Sequence, residues 1–219
     1  MYDLSVTQAY FLCAVGKRGR FGAFDTRRGL CLCAAALLDL ELCGSIAIEG
    51  KRIRATGMLP IHRQALRPLY DWIAVRPRTV EGLVEAYGYS ITDRRLRSLF
   101  DSIGRSLDTL GLIASVERGI WGRCRYCPTE RAVHRVVDMI RAELLEAGEV
   151  SDEVSALVIL LDRAKVLPHY LSAFERDGLR ERLHAILRTP QGRLVKGMLA
   201  YLENMIALHS GALPIFGSR

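Results

Sequence analysis

Lysine is scarce in this chain: 27 of its 31 cationic residues are arginine, set against 24 acids in 219 residues. The net charge of +7 therefore rests on planar guanidinium groups, which suit two-pronged recognition of phosphate or carboxylate. Long apolar runs are also missing. The most apolar stretches, GLCLCAAALLDL and VSALVILLDRAKVL, are both interrupted by charge and fall short of the roughly 20 residues that a membrane-spanning helix needs. The opening MYDLSVTQAYFLCAV has no basic segment ahead of its apolar residues, so no secretory signal is expected. Disorder is excluded from the other side, since 50% of the residues are hydrophobic.

Catalytic signatures are absent as well. No GxxxxGK[ST] phosphate loop, GxGxxG turn, HExxH or GxSxG occurs. His62, His134, His169, His184 and His209 are scattered, and Asp39 and Glu41, two apart on a helix, point to different faces. Neither an enzyme nor a cofactor is expected. Six cysteines without a secretion signal read as free thiols in a reducing, cytoplasmic setting. Cys13, Cys31, Cys33 and Cys43 lie in apolar helical contexts. Cys124 and Cys127 form a single CxxC with no second ligand pair, so they read as structural rather than metal-binding.

What is present is helical periodicity. Helices are expected at about 5–15, 28–43, 62–74, 79–87, 93–110, 129–147, 152–166, 178–188 and 192–209. Two alternating segments, about 45–56 and 112–127, read as short β-hairpins turning at Glu49-Gly50-Lys51 and near Gly119 to Gly122. No repeat or linker divides residues 1–219. The expected fold is mainly α: one multi-helix domain with two hairpins and winged-helix-like elements.

The stretch RFGAFDTRRGL puts Arg27 and Arg28 at a helix start, with Asp25 or Thr26 as N-cap, where the helix dipole disfavours cations. An anion bound there, shared with the helix bearing Arg94, Arg97 and Arg105, would relieve that repulsion. Ile120 and Trp121 occupy a hairpin tip beside Arg118, Arg123 and Arg125, a composition suited to a membrane interface. Helices 79–87 and 93–110 followed by a hairpin also fit a winged helix on DNA, with Arg123 and Arg125 on the wing. That is the alternative reading.

The order of motifs resembles the Golgi phosphoprotein 3 family and its shorter prokaryotic relatives, over roughly residues 4 to 188. The motifs are LSVTQAYFLCAV, LLDLELCGSI, IAIEGKRIRA, LRSLFDSIGRSLDTLGLI and VSALVILLDRAKVL. The resemblance implies a cytoplasmic, peripheral membrane protein that binds phosphatidylinositol 4-phosphate or another anionic phospholipid. It also implies an adaptor that takes protein tails as partners; nucleic acid, from the winged-helix reading, is the lesser expectation. Of the family's lipid-binding positions, the tryptophan falls at Phe24 and one arginine at Arg97. The other two arginines fall at Phe100 and Cys33. Phe24, Arg27, Arg28, Arg94 and Arg97 are thus the expected headgroup residues. Ile120, Trp121 and Arg123 belong to the hairpin expected to contact membrane or a second copy of the chain.

Overall fold

In a computed structural model the described residues are 4–22, 25–88, 93–119, 123–144, 150–187, 197, 200 and 203. Among these residues eight α-helices follow in chain order: α1 (Val6–Val15), α2 (Thr26–Leu42), α3 (Arg67–Ala74), α4 (Val80–Gly88), α5 (Arg94–Thr109), α6 (Glu130–Leu144), α7 (Asp152–Arg163) and α8 (Ala173–Leu187). The strands are β1 (Ile46–Glu49), β2 (Arg52–Ala55), β3 (Arg78–Thr79), β4 (Ile113–Arg118) and β5 (Cys124–Pro128). This is the mainly α fold with two short hairpins that the periodicity predicts.

α1 is the axis of the core. Nine of its ten residues are buried, so it is apolar on all sides rather than striped, and α2, α5, α6 and α7 pack around it. Its amino end is satisfied from two directions. Ser5 and Gln8 form a capping box, while the carboxylate of Asp39 on α2 accepts from Val6 N at 3.2 Å and Thr7 N at 2.9 Å. Asp39 is 1% exposed; its charge is tolerated inside the core because those amides and the helix dipole face it.

α2 stops in a Schellman turn. Gly44, at φ +71°, lets Ser45 N reach Leu40 O at 3.0 Å and directs the chain into β1. β1 and β2 pair antiparallel from Ile46↔Ala55 to Glu49↔Arg52. The two-residue strand β3 adds to β2 at Ile53↔Arg78, an extension too short to show as an alternating pattern. The second hairpin pairs β4 with β5 and carries an irregularity between Ile113 and Ser115.

Several boundaries differ from the expected ones for local reasons. The segment 62–74 is split into a 3-10 turn, Ile61–Leu66, and α3, because Pro68 has no amide with which to continue the earlier ladder. α7 ends three residues early, with Lys165 at φ +55° in the place a glycine usually takes and Val166 N bonding Leu161 O at 2.8 Å. α8 begins five residues early because Ser172 and Glu175 exchange capping bonds of 3.2 and 2.7 Å. The expected helix 192–209 lies outside the described residues apart from helical positions 197, 200 and 203.

Candidate anion-binding cavity

Three separate chain segments converge at the start of α2. The first is the loop 16–22. Gly19, at φ +62°, accepts from Tyr126 N at 2.8 Å, and a Cβ there would lie 3.0 Å from that nitrogen, so only glycine lets the loop lie so close to β5. The second is α5, which closes on α2 at Gly29, where a Cβ would meet Leu96 Cδ2 at 2.6 Å. The third is the end of the second hairpin at Arg123 and Cys124.

Between them lies a cavity of about 230 Å³, with Arg20, Arg97 and Arg123 on its walls. Its apolar floor is aromatic. Phe100 meets Phe21 edge-on at 5.2 Å and leans on Phe11 at 4.7 Å and Tyr126 at 5.9 Å. Behind Phe100, Gly104 gives the Tyr126 ring its room; a Cβ would stand 2.5 Å from the ring. Asp25, Asp93 and Asp101 also line the cavity, so among the described lining residues three cations face three acids. Burial raises the pKa of Asp101, against the opposing pull of Arg105 and Arg97.

Tyr87, at the end of α4, is the least expected lining residue. It is 1% exposed, its hydroxyl has no hydrogen-bond partner among the described residues, and burial raises its pKa. A buried hydroxyl in that state is costly unless something in the cavity bonds it.

Arg28, at the start of α2, finds a counter-ion within the chain. Asp25 caps α2, its Oδ1 accepting from Arg28 N at 3.2 Å and its Oδ2 pairing with Arg28 Nε at 3.0 Å. Arg28 Nη1 also donates to Ala14 O at 3.0 Å, and the Arg28 carbonyl accepts from Tyr10 Oη at 3.0 Å. Arg28 thus ties α2 to the end of α1 and does not line the cavity. Arg27 does not line it either; its charge reaches the Cys31 thiol, whose pKa burial nonetheless pushes up to about 12. Arg94 is exposed and outside the lining.

Of the sequence-derived residues, then, Arg97 and Arg123 meet in the cavity, and Phe100 is its floor. Cys33 is 0% exposed in the core. Phe24, Ile120 and Trp121 lie outside the described residues. Arg20 comes from the arginine-rich loop GKRGRFGAFDTRRG; Phe21, Asp101 and Tyr87 join the site beside it, and nothing around Tyr87 in the sequence distinguishes it from any buried helix residue. Among the described residues no group of three or more His, Cys, Asp or Glu side chains could hold a metal ion, and all six cysteines are free thiols. No described helix is long and apolar enough to cross a membrane. Guanidinium groups beside an aromatic floor can hold an anion that carries an apolar neighbour.

The chain matches a family model described as Golgi phosphoprotein 3 (GPP34) over residues 6–204. None of the curated proteins matches it.

Proposed function

This protein belongs to the Golgi phosphoprotein 3 family, and from that membership we propose that it is a peripheral membrane protein whose cavity binds the phosphate-bearing headgroup of an anionic phospholipid. The observation that carries this reading is the convergence of Arg20, Arg97 and Arg123 from three chain segments over one aromatic floor. Guanidinium groups supply charge-assisted hydrogen bonds to phosphate oxygens, and Phe21 and Phe100 accept the apolar part of the lipid where it leaves the headgroup. The unpartnered Tyr87 hydroxyl would find its partner in the same ligand. Phosphatidylinositol 4-phosphate is one such lipid. With Phe100 as floor and Cys33 in the core, singly charged headgroups such as phosphatidylglycerol fit the reading equally well.

Co-sedimentation with vesicles of phosphatidylcholine alone, or carrying phosphatidylglycerol or phosphatidylinositol 4-phosphate, tests the reading. Anionic vesicles should retain the protein in a salt-sensitive way, and Arg97→Ala should weaken retention about tenfold with the melting temperature unchanged. Equal retention of Arg97→Ala would move binding away from this cavity. A parallel gel shift with duplex DNA addresses the succession of α4, α5 and β4–β5 as helix, helix and wing. Retention on DNA with no lipid preference would favour that reading.

A further inference from the structure

A second arginine cluster lies where α3 gives way to β3 and α4, on residues that the headgroup cavity does not use. Here a cleft of about 550 Å³ is lined by Arg76, Arg78 and Arg95, with Trp72 as its aromatic wall and Glu85 as the only acid among the described lining residues. Arg78 is held in place: its guanidinium carbon lies 4.3 Å from the centre of the Trp72 ring, and its Nε donates to Trp72 O at 2.9 Å. That leaves the terminal Nη groups as donors at the cleft. Among the described residues none of the three arginines is in an ion pair within 4 Å. The like charges act on one another, since burial together with Arg76 and Arg95 lowers the pKa of Arg78. Three mutually repelling cations, one of them fixed against an indole, form a site whose missing component is negative charge.

We propose that this cleft is a second anion site, independent of the headgroup cavity, in which Arg76, Arg78 and Arg95 bind a phosphate group beside Trp72. The amino end of α4 adds to the attraction: Thr79, which caps it by accepting from Gly82 N at 3.0 Å, and Gly82 both line the cleft. The phosphate belongs either to a lipid headgroup, which would give the protein a second grip on the same bilayer, or to a soluble phosphate ester.

Trp72 is one of only two tryptophans, so Trp121→Phe, which keeps an aromatic ring at the expected membrane-contact hairpin, makes it the sole indole reporter. At constant ionic strength, inorganic phosphate should change Trp72 emission saturably where chloride does not. Arg76→Ala combined with Arg95→Ala should weaken that response at least about tenfold, whereas Arg97→Ala should leave it unchanged. Phosphatidylglycerol vesicles acting at lower phosphate concentration than the inorganic ion would identify the source as lipid; inorganic phosphate acting alone would identify a soluble ester. No response to either, or an undiminished response in the double variant, overturns the site. Because Arg97 is absent from this cleft, failure here and failure of the headgroup cavity give different patterns.

Discussion

Two clefts adjoin α4, and each gathers three arginines, but they handle the same charge in opposite ways. In the headgroup cavity Arg20, Arg97 and Arg123 face Asp25, Asp93 and Asp101 over a packed aromatic floor. In the other cleft Arg76, Arg78 and Arg95 face Glu85 alone among the described acids, and order comes from the stack of Arg78 on Trp72. A balanced lining favours ligands that also donate hydrogen bonds, since carboxylates accept them and repel bare negative charge. An unbalanced lining favours anions of any shape, with strong dependence on salt. Cation count alone does not describe a binding site; the acids interleaved with the cations set what it selects.

The comparison can be broken most severely on the cavity side. Gly104→Ala drives a methyl group into the Tyr126 ring, 2.5 Å away, and displaces the floor on which Phe100 rests. A stability loss of about 3 kcal/mol in denaturant unfolding is expected, with headgroup binding lost in the fraction that stays folded. The phosphate response of Trp72 should survive in that fraction. Tyr87→Phe acts on a residue that touches both sides, since Tyr87 lines the cavity and meets Trp72 edge-on at 5.5 Å. Removing an unpartnered buried hydroxyl should raise stability by about 1 kcal/mol while weakening vesicle binding. A loss of both stability and binding would instead mark the hydroxyl as bonded in the unliganded protein.

The smallest effect sharpens the contrast. Asp101→Asn makes the cavity cationic like its neighbour and should tighten binding to anionic vesicles roughly threefold near neutral pH. Burial raises the Asp101 pKa, so the folded protein holds this proton more tightly than the unfolded chain does. Any stability from that proton is present below the ordinary aspartate range and is lost as pH rises through the raised value. Vesicle affinity should follow the same direction, increasing as pH falls through that value in the parent and staying flat in Asp101→Asn.

The helical framework was legible because its elements obey simple periodicities, and the amphipathic α5 shows this best. α1 was equally legible, though as a continuous apolar run rather than a stripe. What the sequence concealed depends on partners distant along the chain or on single residues. β3 is two residues long and exists only because β2 offers it an edge. The early start of α8 is written locally, in the Ser172–Glu175 capping pair. At the site, Arg97 could be read from its helix face, whereas the role of Arg28 could not be read from charge pattern alone. Asp25, three residues earlier, neutralises it and leaves it to bond Ala14. Tyr87 was invisible because its distinction is a missing hydrogen bond, which belongs to three-dimensional surroundings and not to local sequence.

The Asp39 carboxylate at the start of α1 has a consequence for the order of assembly. The amides of Val6 and Thr7 bond an acceptor 33 and 32 residues further along the chain, so α1 cannot complete its own amino end before α2 is in place. An isolated ten-residue helix is marginal in water, and this one gains its anchor only when α2 folds against it. α1 and α2 therefore form as one cooperative unit. The protons on those two amides exchange with solvent only when that unit opens as a whole, which makes them reporters of its integrity.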